Sequence, residues 1–293
     1  LRQLSVVVAD TADFQAIEKF KPVDATTNPS LILKQAQSPV TEGLISQTKG
    51  KLADGAFQSA ADAALDLSVR FGFEIANRIT GYISTEVDAR LSFNAEASID
   101  QAHQIIEKYA RLGLSKERVL IKLASTWEGI QAARALEAEG IRCNLTLLFC
   151  EAQAIAAANA QATLISPFVG RIYDWYVAKG ETPESADTDP GVLSVRGILD
   201  LYQRHDIETI VMGASFRTAD QVLALAGCDR LTISPALLQE LEARDEAING
   251  LQHAQSSGRV LRRLSRDEFL LNVAADPMAN EKLADGITRF IQE

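Results

Sequence analysis

Eight short runs rich in aliphatic and β-branched residues alternate along this chain with stretches whose apolar residues recur at helical spacing, and that alternation limits the folds open to it. The runs are Leu4–Ala9, Ala25–Thr27, Tyr82–Glu86, Val119–Ala124, Cys143–Leu147, Leu164–Phe168, Thr209–Met212 and Arg230–Ile233. Helical patterns between them include Ala97–Leu112, with Ile99, Ile106, Tyr109 and Ala110 in register, and Ile130–Glu139, closed by Gly140. Ser194–His205 opens on a serine suited to an N-cap, and Ala219–Ala226 runs up to Gly227. Eight such units in 293 residues predict an α/β chain folded as a single (β/α)8 TIM-type barrel with extra helices, including a C-terminal helix within Ser265–Glu293. A doubly wound sheet is the alternative, but Ala9–Asp13 lacks the Gly-rich turn that usually follows its first strand. No Pro-, Gly- or Ser-rich linker divides the chain, so residues 1–293 are expected to form one domain. Glu181–Gly191 is expected to be an acidic surface loop and Gln252–Gly258 a mobile polar turn.

The net charge of −10 argues against nucleic acid or an anionic membrane as a partner, since both favour a basic face. Cys143, Cys150 and Cys228 are odd in number and lack CxxC spacing, which fits small buried hydrophobes better than a disulfide framework or a zinc site. His103, His205 and His253 form no ligand-spaced pair, so no catalytic metal is expected. No run reaches the ~18–20 apolar residues of a membrane span. Leu1–Ala9 is too short for a signal peptide, and the cytoplasm is the expected location.

Lys122 is the residue that points to chemistry. It sits inside Val119–Ala124, where its neighbours are apolar. A buried ammonium needs a partner or tends to lose its proton, and a neutral amine can attack a carbonyl to form a Schiff base. Side chains alternate across a strand, so Lys122 shares a face with Leu120 and Ala124. The same parity turns inward Asp10 on the first run and Asp24, Thr26 and Asn28 near the second. It does so for Ser84, Glu86 and Asp88 near the third, Asn144 and Thr146 on the fifth, and Leu164, Ser166 and Phe168 on the sixth. Taken singly, each has a plainer explanation. Asp10 could cap a helix, Thr26 and Asn28 could form a turn before Pro29, Thr146 could simply favour a strand, Glu86 could pair with Arg90, and Lys122 could pair with any carboxylate. Their coincidence near the C-terminal ends of strands is where a barrel enzyme places its site. In that reading Lys122 is the nucleophile, Asp10 and Glu86 move protons, Thr146 holds a water, and Asn28 and Asn144 bind hydroxyls.

Two arginines follow the sixth and seventh runs, in Ser166–Arg171 and Gly213–Arg217. Arg171, Arg217 and Ser215 on adjacent loops favour a sugar phosphate, which the planar guanidinium grips well.

Together these residues resemble the transaldolase family. The resemblance rests on Val7–Thr11, Asp24–Ser30, Ile83–Arg90, Ile121–Trp127, Asn144–Phe149, Ile165–Arg171, Val211–Arg217, Ala226–Thr232, Asp276–Met278 and Lys282–Gly286, and covers nearly the whole chain. It implies transfer of a dihydroxyacetone unit from sedoheptulose 7-phosphate or fructose 6-phosphate to glyceraldehyde 3-phosphate or erythrose 4-phosphate, with no metal or organic cofactor. It further implies that Lys122 forms the imine, Asp10 serves the C4 hydroxyl, and Glu86 and Thr146 hold the water. Asn28, Asn144 and Ser166 would contact the three-carbon unit, with Thr26 and Phe168 beside them, and Arg171, Ser215 and Arg217 would grip phosphate. A homodimer is a further expectation. The similar fructose 6-phosphate aldolases carry glutamine and tyrosine where this chain has Glu86 and Phe168, so both positions favour transfer over release of free dihydroxyacetone. A non-catalytic sugar-phosphate-binding barrel is the third reading. The departure from the family pattern lies at the end, where the chain stops soon after Phe290.

Overall fold

Each strand pairs in parallel with the next, and the last returns to the first, so no edge is left open. The computed structural model describes residues 1–245 and 247–293. Its elements are β1 (Val6–Asp10), α1 (Phe14–Phe20), β2 (Asp24–Thr26), α2 (Pro29–Ala36), α3 (Glu42–Ala53), α4 (Ala60–Ala76), β3 (Ile83–Glu86), α5 (Ala95–Arg111), β4 (Val119–Ala124) and α6 (Trp127–Ala138). There follow β5 (Cys143–Leu148), α7 (Glu151–Asn159), β6 (Leu164–Pro167), α8 (Val169–Ala178), α9 (Pro190–Arg204), β7 (Ile210–Gly213), α10 (Ala219–Ala224), β8 (Arg230–Ile233), α11 (Pro235–Glu242), α12 (Arg266–Ala275) and α13 (Pro277–Gln292). This is the expected (β/α)8 barrel with a helical tail.

All eight expected strands are present, β4 and β8 with the expected bounds and the rest displaced by one or two residues. The helix starts differ more. α9 begins at Pro190, not near Ser194, because the Asp189 carboxylate accepts from the N–H groups of Gly191 and Val192 while Pro190 supplies a preset first turn. Asp189 is therefore buried, and the expected acidic surface loop ends inside the protein. The buried stripe of α5 runs through Ser98, Ala102, Ile105 and Tyr109, with Ile99 and Ile106 at its margin. The Gln252–Gly258 stretch has no regular element; Gln203 and the Arg204 carbonyl tie it to the end of α9.

The interior is layered. At the N-terminal end Asp24 pairs with Arg230 and accepts the Tyr82 N–H at 2.7 Å. Burial pushes the Asp24 carboxyl up, against the pull of Arg230. Above this floor Val8, Leu120, Leu164 and Met212 form an apolar plug, separate from the larger core between sheet and helices. Two residues further along three of these strands stand Asp10, Lys122 and Ser166. The period of two that sends the plug inward sends these polar groups to the mouth of the same barrel.

Outside the barrel, α4 lies against α5 at Gly72. A Cβ there would stand 1.7 Å from the Tyr109 hydroxyl, which is hydrogen-bonded to Thr85 on the outer face of β3. Alanine normally gains about 1 kcal/mol over glycine in a helix. Overpacking a buried contact costs about 1–3 kcal/mol and leaves Thr85 unpaired as well. Gly72→Ala is therefore expected to lower the melting temperature, as read by calorimetry, despite its better helix propensity.

Candidate active site

The amine of Lys122 does not end among apolar groups. It donates to Glu86 Oε2 at 3.0 Å and to the Thr27 carbonyl at 3.1 Å, and the residue is only 5% exposed. The β3–β4 register makes this possible, since Glu86 and Lys122 are direct partners on the inner face. Arg90 is not the partner of Glu86; it pairs with Asp88. Asp88 lies past the end of β3, where strand parity no longer applies, and its side chain caps the short helix that follows, accepting the Arg90 N–H at 2.9 Å. Burial raises the Glu86 carboxyl, with Lys122 and Arg171 opposing.

Asp10 is not a helix cap, because Asp13 caps α1. Its Oδ1 accepts the Thr26 hydroxyl at 3.2 Å, and Thr26 in turn meets Thr232 at 2.9 Å. Burial pushes the Asp10 carboxyl up, offset by the charge on Lys122, the Thr26 bond and the two arginines. Asn28 does cap a helix: its Oδ1 accepts the Leu31 N–H at 2.9 Å, leaving its amide N–H groups for other partners. Asn144 is fully buried, donating to Ser84 at 3.2 Å and accepting from Ser166 at 2.6 Å. The Thr146 hydroxyl is buried on the inner face of β5 and has no hydrogen-bond partner among the described residues. A buried hydroxyl in that state is a ready acceptor or donor for a small polar molecule.

Several of these groups meet at a cavity of about 70 Å³. Asp10, Thr26, Asn28, Lys122, Thr146, Ser166, Phe168, Arg171 and Ser215 line it, whereas Glu86, Asn144 and Arg217 do not. Glu86 instead borders a second cavity of about 390 Å³ beside α2, α4 and the end of α13. The remaining lining residues include Thr232, which parity on β8 could have identified, and Met212 and Ala214.

The cationic side is built by packing. Arg171 lies in the first turn of α8, its guanidinium 5.0 Å from the Phe168 ring and 5.4 Å from that of Phe290 on α13. Burial, then Arg289 and Arg217, lower the proton affinity of Arg171. Gly286 lets α13 approach closely, since a Cβ there would be 2.6 Å from Leu147 and 2.9 Å from Arg171. Arg217 is more exposed, and Asp174 on α8 holds it through Nε and Nη2 at 2.6–3.1 Å. Its Nη1 donates to the carbonyl of Ser215, a residue at φ 63°. The loop beneath is clamped by Gln221, which accepts the Arg217 N–H and donates to the buried Asp189 at 2.7 Å in each case. Asp174 carried no sequence signal, because its partner Arg217 is distant along the chain; Asp189 before Pro190 and the Thr218–Gln221 capping box are local helix-start signals, but neither shows the bond from Gln221 to Asp189 that clamps the loop.

Among the described residues no group of three or more His, Cys, Asp or Glu side chains is placed to hold a metal ion. No helix of the described residues is long and apolar enough to cross a membrane.

The model of the family described as Transaldolase/Fructose-6-phosphate aldolase matches residues 7–293. A protein named Transaldolase from Chromohalobacter salexigens is 52% identical over 299 residues, covering 100% of this chain and 94% of that protein. One of the same name from Aliivibrio salmonicida is 52% identical, covering 99% of this chain and 93% of its own. Another from Shewanella loihica is 51% identical over the same share of this chain.

The geometry sets a pH signature for Asp10. Because its folded-state affinity for a proton is raised above the ordinary value of 3.8, the buried charge destabilises the protein once the carboxyl ionises. Below that ordinary value the group is neutral whether folded or unfolded, and the penalty vanishes. Asp10→Asn is thus expected to melt a few degrees above the natural protein at pH 8, with the gap closing as the pH falls toward 4. Equal melting temperatures across that range would contradict the assignment.

Proposed function

Because the chain belongs to the transaldolase/fructose-6-phosphate aldolase family, we propose that it is a transaldolase moving a dihydroxyacetone unit between phosphorylated sugars through a Schiff base on Lys122. The donors are sedoheptulose 7-phosphate or fructose 6-phosphate, and the acceptors glyceraldehyde 3-phosphate or erythrose 4-phosphate. The observation that carries the mechanism is the buried amine of Lys122 with a carboxylate 3.0 Å away. To become a nucleophile the ammonium must shed a proton, and Glu86, made a better proton acceptor by burial, stands where it can take one.

The amine adds to the ketone carbon of the donor to give a carbinolamine. Glu86, through a water held with Thr146, protonates the hydroxyl that leaves as water, and an iminium ion remains. Asp10 then removes the proton of the C4 hydroxyl. The C3–C4 bond breaks, its electron pair passes into the iminium to form an enamine, and the aldose phosphate departs. The acceptor aldehyde arrives, the new carbon–carbon bond forms, and Asp10 returns its proton to the new hydroxyl. Hydrolysis of the imine reverses the first step. Asn28, Asn144 and Ser166 contact the three-carbon unit beside Thr26 and Phe168, while Arg171, Ser215 and Arg217 bind phosphate. The enamine must survive between the two aldehydes, so the site has to keep water from it. Phe168, which has no hydroxyl and packs edge-on to Phe149, supports transfer over release of free dihydroxyacetone. One catalytic domain over residues 1–293, a homodimeric assembly, a cytoplasmic location and independence from metals, cofactors and nucleic acid belong to the same proposal.

Borohydride reduction with fructose 6-phosphate is expected to leave a covalent three-carbon or ketose adduct on Lys122, read by peptide mass. Lys122→Met should lose the adduct and at least ~10²-fold in turnover, since the covalent route is gone. Turnover that proceeds at full rate without an acceptor aldehyde would instead favour the aldolase reading. Arg217→Ala should raise the apparent KM for phosphorylated donor about tenfold or more while leaving adduct formation possible, as loss of a charge-assisted contact costs ~1.5–3 kcal/mol.

A further inference from the structure

Thr146 faces the site by the parity of β5, and the chain immediately after it is bent. Leu147 has a φ of 53°, a left-handed conformation that a branched side chain adopts only at a cost, and the β5–β6 register shifts between Leu145 and Leu148. Bulges beside active sites re-aim a side chain, and such strain persists only where the surroundings over-determine it.

One side chain does that here. Gln153, fully buried in the first turn of α7, uses both ends of its amide. Its carbonyl accepts the Phe149 N–H at 2.8 Å and the Cys150 N–H at 3.2 Å. Its Nε2 donates to the Leu147 carbonyl at 3.0 Å and to the Ser125 carbonyl at 2.9 Å. Ser125 closes the loop, because its N–H and its hydroxyl both donate to the Thr146 carbonyl at 2.7 Å. Gln153 therefore staples the end of β5, next to Thr146, to the end of β4, three residues beyond Lys122. Neither Gln153 nor any of its four backbone partners lines the cavity.

We infer that Gln153 is a positioning residue for the reaction, fixing the Leu147 bend so that the Thr146 hydroxyl stays inward, free of protein partners, and at a set distance from Lys122. The inference rests on the Schiff-base reading and goes beyond it by assigning the water-handling geometry to a residue outside the site. Losing the staple should slow the steps that need an oriented water, which are imine formation and hydrolysis. Phosphate binding depends on a different buried clamp, at Gln221, and should be spared.

The test is a double-mutant cycle with Gln153→Leu and Thr146→Ala, in which rates are normalised to folded protein and followed by single-turnover borohydride trapping of the Lys122 adduct. Gln153→Leu alone is expected to slow adduct formation at least ~10-fold, within the range for a misplaced general acid–base partner. Its KM for phosphorylated donor and its inhibition by inorganic phosphate should stay within about twofold. In the Thr146→Ala background the same substitution should change the rate less than about twofold, because the group it orients is gone. Should the leucine variant fail to fold, Gln153→Glu keeps the accepting oxygen and the shape while losing the donated bonds, and takes its place in the cycle. An equal loss in both backgrounds, or no loss in folded enzyme, overturns the inference. Absence of any adduct in the natural protein would instead sink the Schiff-base reading itself, so the two failures are distinguishable.

Discussion

The ion pair between Lys122 and Glu86 sets the terms for everything around it. Two opposite charges below the barrel mouth, their side chains 6% and 8% exposed, require close geometry and further hydrogen bonds to offset their lost hydration. The register of β3 against β4 supplies the geometry, and the Thr27 carbonyl supplies one more acceptor. Breaking such a pair by removing one partner leaves a buried charge uncompensated, which ordinarily costs ~3–5 kcal/mol. The rim residues are thus constrained by folding as much as by chemistry.

The barrel handles buried charge in two different ways. At the floor, Asp24 and Arg230 meet directly, and Tyr82 adds a backbone donor and an aromatic face 5.1 Å from the guanidinium. That arrangement is closed, with its groups turned to one another. At the mouth the corresponding groups are left with spare capacity. Among the described residues Thr146 has no hydrogen-bond partner, Asn28 uses its side-chain oxygen for Leu31, and Asp10 accepts the Thr26 hydroxyl through Oδ1. Between the two lies the apolar plug of Val8, Leu120, Leu164 and Met212, which separates structural polarity from reactive polarity.

Much of this could be read from the chain because strand parity is a local property. Lys122, Asp10, Thr26, Thr146 and Ser166 all follow from counting in twos, and the same count on the eighth strand gives Thr232. Parity failed at Asp88, which lies beyond the end of β3, where the alternation no longer applies. It also could not show that Asn144 would be tied to Ser84 on β3 and Ser166 on the neighbouring β6, since parity gives the face of a side chain and not its partner on another strand. The partners of the helix-based supports were hidden in the same way. Asp174 reads as an ordinary surface acid until α8 is seen to face the loop after β7, and Asp189 reads as part of a polar loop until Gln221 is seen against it. The start of α9 differs from Ser194 because Asp189-Pro190 is an equally good start signal, its capping aspartate lying five residues before the serine.

Gly286 joins regions that topology keeps apart. The tail helix touches the bent end of β5 through Leu147 and the aromatic-flanked Arg171 at one hydrogen-sized side chain. Positions 147, 171 and 286 should consequently drift together over evolutionary time, each limiting what the other two can become. A chimaera that exchanged only the last helix would inherit a mismatched joint at the heart of the molecule, whereas one that moved all three positions together would keep it intact.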